Sequence, residues 1–298
     1  MTSEYRFWQV DSFSKTPYLG NPCGVVFDAD ELSSAQMQTI ARQMNLSETV
    51  FLSKPTTAEA DFESRIFTPR NELPFAGHPT IAAAFSYYST LNGTTKPTEL
   101  RQECGVGIIP LEISNDEGDP LFMMTAGEPS AVEAGVDRDL GGKMLGMDAE
   151  RLVDVPIEVC SVGLPWLIVP VKSMEELSAG KPDQDLIEKI CRECEATGVT
   201  AYAPGARIEG CSYHIRSFAP AQGIPEDPVC GSGNAAVALH IARHSSAGKS
   251  TIHYRAEQGL EMKRAGILHL EVKNIQTTKP VVRLGGNAVR VLDGTLWI

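Results

Sequence analysis

The 298-residue chain is short of several things, and each shortage narrows what it can be. No run approaches the roughly 18 apolar residues of a membrane span, so no spanning helix is expected. The opening Met1-Thr2-Ser3-Glu4-Tyr5-Arg6-Phe7-Trp8 lacks the basic start and apolar stretch of a secretory signal. Positive charge is scarce: 26 Lys and Arg stand against 38 Asp and Glu, a net charge of −12, with a pI of about 5.0. That argues against nucleic acid, whose binders draw on basic side chains, and against anionic membrane surfaces. A small anionic substrate stays open, because a local site can oppose the global field. Seven cysteines, an odd number, suit free thiols in a reducing cytoplasm rather than a disulfide scaffold.

Metal and nucleotide signals also fall short. Cys191-Arg192-Glu193-Cys194 is a lone Cys-x-x-Cys in a helical stretch, without the second pair that zinc needs. His240 and His244 lie four apart on a helix with no acidic residue between them, and read as ordinary helix-face histidines. Gly231-Ser232-Gly233-Asn234-Ala235-Ala236 fits Gly-x-Gly-x-x-Ala, but Pro220, Pro225 and Pro228 stand where the preceding strand should be. Neither a metal nor a cofactor is expected.

What the chain does have is a second copy of itself. Arg65-Ile66-Phe67-Thr68-Pro69 returns as Arg216-Ser217-Phe218-Ala219-Pro220, and Pro74-Phe75-Ala76-Gly77-His78-Pro79 as Pro228-Val229-Cys230-Gly231-Ser232-Gly233. Gly20-Asn21-Pro22 parallels Gly163-Leu164-Pro165, and Thr49-Val50-Phe51-Leu52 parallels Thr200-Ala201-Tyr202-Ala203. Four matches in one order, near half the chain length, indicate two copies of a globular domain. The α+β pattern supports this. Ser33-Ser34-Ala35-Gln36 has capping-box spacing before Met37, Ile40, Ala41 and Met44 on one helix face. Strands are expected over Phe7–Phe13, Gly24–Phe27, Glu48–Leu52, Gly105–Ile109 and the tail Ala288–Ile298. Pro79–Tyr88, with Pro at the first helical position, and Gly233–Arg243 read as helices apolar all round, hence buried all round. Thr125–Asp139 reads as the linker. The domains are expected at 1–125, completed by a strand in 285–298, and at 126–284.

The two loops before those apolar helices are the candidate site. A helix N-terminus offers unpaired N–H groups and partial positive charge to a carboxylate or phosphate. Gly77, Gly231 and Gly233 permit close backbone approach, and His78, Ser232 and Asn234 add donors. Asp227 sits three residues before Cys230, whose thiolate a helix start would stabilise; its counterpart is Ala76, so a symmetric pair of thiols is absent. Glu48 stands where a helix gives way to apolar Val50-Phe51-Leu52. Desolvation there would raise its pKa toward a value useful for proton transfer.

Taken together, Gly20-Asn21-Pro22, Asn45-Leu46-Ser47-Glu48-Thr49-Val50-Phe51, Phe67-Thr68-Pro69, Pro74-Phe75-Ala76-Gly77-His78-Pro79-Thr80 and Glu226-Asp227-Pro228-Val229-Cys230-Gly231-Ser232 resemble the phenazine-biosynthesis (PhzF-like) isomerase family. The resemblance implies the diaminopimelate epimerase fold: two pseudo-symmetric domains, each a curved sheet around a central helix, with the site between them. It implies cofactor-free proton transfer of the kind performed on trans-2,3-dihydro-3-hydroxyanthranilate. Glu48 matches the family's acid/base, and His78, Asp227 and Ser232 match its other site residues. A homodimer is compatible with it. One rival is an epimerase pairing Cys230 with Glu48. Another is a non-catalytic binding protein for a small molecule.

Overall fold

The computed structural model describes residues 3–92, 96–245 and 248–298. Met1 and Thr2, the start of the segment read for a targeting signal, lie outside them. The chain divides into two compact units, one ending at Met124 and taking in Gly285–Ile298, the other Thr125–Leu284. Among the described residues no helix is long and apolar enough to cross a membrane.

The first unit contains β1 (Glu4–Ser12), β2 (Asn21–Val26), α1 (Ser34–Met44), β3 (Glu48–Ser53), β4 (Phe62–Phe67), β5 (Glu72–Leu73), α2 (Gly77–Thr90), β6 (Glu99–Cys104), β7 (Gly107–Asp116) and β8 (Asp119–Thr125). The second contains β9 (Ser130–Glu133), α3 (Arg138–Leu145), β10 (Glu158–Ser161), β11 (Pro165–Pro170), α4 (Met174–Ala179), α5 (Gln184–Glu193), β12 (Val199–Pro204), β13 (Tyr213–Ala219), β14 (Ile224–Asp227), α6 (Gly231–Ser245), β15 (Thr251–Gln258) and β16 (Gly266–Lys273). β17 (Val281–Gly286) carries the chain back, and β18 (Ala288–Trp297) joins the first unit.

The copies agree strand by strand. The first unit pairs in the order β18, β1, β2, β3, β4, β6, β7, with β2–β3 and β4–β6 parallel and the rest antiparallel. The second runs β9, β10, β11, β12, β13, β15, β16, with β11–β12 and β13–β15 parallel. Each unit therefore has two parallel pairs at the same places, and β18 does for one unit what β9 does for the other.

Local chemistry explains the elements. Ser33 caps α1: its hydroxyl accepts the Gln36 N–H at 3.3 Å, and the Gln36 side chain accepts the Ser33 N–H at 3.0 Å. Met37, Ile40 and Ala41 of α1 then pack with Phe7, Phe51 and Phe67. α2 lies against β1, β2 and β3, and α6 against β10, β11, β12 and β16. Ala82, Ala83 and Ala84 of α2, and Ala235, Ala236 and Ala238 of α6, are wholly buried; small side chains let a helix lie close to the strands on every side. The repeated arginines are clamps. Arg65 donates to both carboxylate oxygens of Glu72 at 2.7 and 2.8 Å, and Arg216 to both of Glu226 at 2.8 and 2.9 Å. Each guanidinium also lies over a phenylalanine, Phe67 or Phe218. Each clamp ties down the strand that feeds the loop before the central helix.

Four expected boundaries move. α2 begins at Gly77 and α6 at Gly231, each two residues earlier than expected, so Pro79 is the third residue of its helix. A missing N–H costs nothing anywhere in the first turn. Gly105 and Val106 form a turn between β6 and β7 rather than a strand. Ser130–Glu133, inside the expected linker, is β9, paired with β10.

The second unit buries His214 between two carboxylates, Glu257 at 2.9 Å and Glu261 at 3.3 Å. Burial works against the imidazolium, but these partners outweigh it and raise His214 above 6.5. Against the opposing effect of burial, hydrogen bonds from His214 and, for Glu257, from the Arg207 and Ile208 amides pull Glu257 down and Glu261 to about 2. His214 therefore contributes stability fully below pH 6.5 and loses it as pH climbs through the raised value. The glutamates contribute fully above 4.5 and lose it as pH falls, toward about 2 for Glu261. Urea melts across pH should show both contributions intact between those limits. His214→Gln should flatten the alkaline limb; an unchanged limb would assign it to other groups.

Candidate active site

In the first unit, Glu48 opens β3 and pairs in parallel register with Cys23 of β2. The α1 helix ends at Asn45 in the left-handed conformation, which turns the chain so that Glu48 follows at once. The Glu48 side chain is 13% exposed and His78 in the first turn of α2 is 9% exposed; Nε2 of the histidine lies 3.2 Å from a Glu48 oxygen. That oxygen is close enough for an ion pair but off the alignment of a hydrogen bond. Burial pushes the carboxyl up to about 7, with the Ser47 side chain pulling the other way. The Ser12 hydroxyl donates to the His78 carbonyl at 2.8 Å, fixing the start of the helix to β1. Near neutral pH Glu48 can thus either take or give a proton, beside an imidazole. Gly77 is the first residue of α2, after Ala76, which offers no side-chain cap.

In the second unit, Asp227 ends β14 and folds its own loop: its carboxylate accepts the Val229 N–H at 3.0 Å. Gln258 holds the rest. Its side-chain oxygen accepts the Cys230 N–H at 3.2 Å and the Asn234 amide at 2.6 Å, and its Nε2 donates to the Asp227 carbonyl at 2.8 Å. Ser232 is the half-exposed residue of an otherwise buried first turn, and its Oγ accepts the Trp166 indole N–H at 3.0 Å. Gly231 and Gly233 are both buried; a Cβ on Gly233 would stand 2.5 Å from Thr200 Oγ1, so this glycine serves close packing.

Cys230 departs from expectation. Burial first and the Asp227 charge second push its thiol up, outweighing the hydrogen bonds from Gly233, Ser232 and Ser217. A thiolate at a helix start needs that end to be solvated, and this one is buried.

The first unit also buries a glutamine beside its central helix, at the register position of Ala256 rather than of Gln258: Gln102 donates to Ser64 at 2.6 Å and to Thr80 at 3.3 Å. Neither glutamine was singled out from the sequence. For Gln102 the signal was there, since Leu100 and Gln102 alternate onto the buried face of β6; for Gln258 it was not, since Glu257 beside it is buried too.

The profile of the family described as Phenazine biosynthesis-like protein matches residues 10–294. The chain belongs to this family. A trans-2,3-dihydro-3-hydroxyanthranilate isomerase of Pseudomonas fluorescens is 33% identical to this phenazine biosynthesis-like protein over 96% of this chain and 97% of its own. The crystal structure of a PhzF-family phenazine biosynthesis protein of Bacillus anthracis superposes with a TM-score of 0.90 at 26% identity, covering 99% of this chain and 100% of that one. A hydroxyproline epimerase of Agrobacterium vitis shares the fold, with a TM-score of 0.64 at 12% identity over 99% and 92% of the two chains. This member of the family is accordingly an isomerase, which sets aside the reading as a non-catalytic binding protein.

Elsewhere in the phenazine biosynthesis-like chain, the helix-face histidines gain the acidic partner the sequence did not show. Glu158 of β10 lies 2.9 Å from His244 Nε2 and 4.0 Å from His240 Nε2, and the three groups lie close enough to hold a metal ion. Arg243, however, donates to both Glu158 oxygens at 3.0 and 3.2 Å, while His240 Nε2 lies 3.0 Å from the Pro156 carbonyl oxygen. The cluster therefore forms an ion-pair network with its oxygens already occupied.

Proposed function

We propose that this chain moves a proton within a small cyclic carboxylate of the trans-2,3-dihydro-3-hydroxyanthranilate type, without metal or organic cofactor. Glu48 as carboxylate takes a proton from one carbon of the substrate. The electron pair left behind shifts the double bond along the ring, and Glu48 as carboxylic acid returns a proton to another carbon. His78 and Asp227 position or relay protons. Ser232, with the first-turn amides about Gly77 and Gly231, holds the substrate carboxylate. The observation that carries this reading is the buried Glu48, raised to about 7 and 3.2 Å from the His78 imidazole: the working pKa of a general acid–base lies near the operating pH. The relatives' named activity supports the substrate class.

Incubation with trans-2,3-dihydro-3-hydroxyanthranilate in deuterium oxide, followed by proton NMR, tests it. Isomerised product with deuterium at the newly protonated carbon is expected. Substrate recovered unchanged would remove this substrate class. The same assay separates the epimerase rival, which needs a Cys230 thiolate. Cys230→Ser should stay well clear of the roughly hundredfold loss that marks removal of a general base, since burial holds the thiol protonated. Loss of deuterium exchange in that variant would hand the chemistry to sulfur.

A further inference from the structure

We infer that Trp166 is a positioning residue: its indole N–H fixes the polarity of Ser232, so that the serine meets a ligand as a hydrogen-bond donor and selects for a carboxylate. The inference rests on the reading of Ser232 as a holder of the substrate carboxylate.

A serine hydroxyl has one hydrogen and two lone pairs, and an indole N–H can only donate. At 3.0 Å, therefore, Ser232 Oγ accepts from Trp166 Nε1. A serine within a helix ordinarily gives its hydrogen to the carbonyl one turn back. Ser232 is the second residue of α6, so no helical turn precedes it. Its other close neighbour is Cys230 Sγ at 3.6 Å, and that sulfur already accepts the Gly233 N–H at 3.4 Å. Sulfur is a weak acceptor. The hydroxyl hydrogen is thus held loosely and is free to turn to a ligand oxygen. A carboxylate oxygen satisfies it, whereas an ammonium group finds only the one lone pair left on the oxygen, beside the indole N–H donor.

The indole is rigid enough for this task. Trp166 is 3% exposed, and its ring sits against Gly198, where a Cβ would stand 2.8 Å from it. That glycine keeps the space the ring needs. The corresponding residue in the first copy is Cys23, which cannot reach as an indole does, so the device belongs to the second unit alone.

Binding of anthranilate, a cyclic amino-carboxylate, measured by titration calorimetry to Trp166→Phe, Ser232→Ala and the double variant, tests the inference. Trp166→Phe keeps the ring and loses the N–H. It should weaken anthranilate about three- to tenfold, the scale of one neutral hydrogen bond. In the Ser232→Ala background the same change should make no further difference. An equal loss in both backgrounds would overturn the inference, because Trp166 would then act through packing. Unchanged affinity in Ser232→Ala alone would remove the carboxylate reading of Ser232 itself. Independently of any ligand, the Trp166 indole proton should move upfield in the NMR spectrum of Ser232→Ala; an unmoved resonance would also overturn the inference.

Discussion

Glu48→Gln is expected to bind ligand and to lose turnover by roughly a hundredfold or more, the cost of removing a general base. The amide preserves shape and can hydrogen-bond but can neither take nor return a proton. In the unchanged enzyme, kcat/KM should fall as pH drops below about 7, where the carboxylate becomes protonated; the variant should show no such limb. A second signature separates this from misfolding. A carboxyl raised from 4.5 to about 7 is more easily protonated in the folded state than in the unfolded chain. Its favourable contribution is full below 4.5 and is lost as pH rises through about 7. Above that pH the fold bears a buried charge costing on the order of 3 kcal/mol. Glu48→Gln should therefore be more stable than the parent at pH 8 while being far less active. A variant that is active, or that is destabilised at pH 8, would remove Glu48 from its role.

Gln258→Leu is expected to cost about 3 kcal/mol or more, because it leaves the Cys230 amide and the Asp227 carbonyl without the partners that tie them down. For a chain of this size that is a fall in melting temperature of roughly 6–12 °C. Gln102→Leu should cost less, about 1 kcal/mol. Gln102 serves two hydroxyls, one of which also donates to the Ala76 carbonyl, and its own oxygen has no hydrogen-bond partner among the described residues. Calorimetric melts of the two variants check the order. Equal losses would mean that both glutamines act as core filler. The inequality would show that the loop of the second unit is held in place by hydrogen bonding to a degree that the first is not.

How legible the molecule was depends on how local each signal is. The cap of α1 and the buried character of α2 and α6 are written in neighbouring residues, and the structure has them there. The starts of α2 and α6 were misplaced because glycine is a poor helix former by propensity, yet Gly77 and Gly231 sit in first turns where close approach outweighs propensity. Glu48 was legible as a carboxylate beside an apolar strand, and His78 as a donor in the loop before a helix, but only the resemblance put the two in one site. Nothing in the 29 intervening positions says that the two side chains meet at 3.2 Å. Glu158, which joins His244 across 86 residues, was invisible for the same reason. Cys230 was misread because two opposing effects, helix terminus and burial, can be ranked only once solvent access is known.

The placement of β18 sets an order of assembly. β1 leaves the ribosome long before its partner: Arg6 and Asp293, paired across the two strands, are 287 residues apart. The second unit is one continuous stretch, Thr125–Leu284, fully synthesised before β18 exists. During translation, the unit that is begun earlier is thus the unit that closes later, and β1 presents an unfilled edge to the cell's chaperones until β18 arrives.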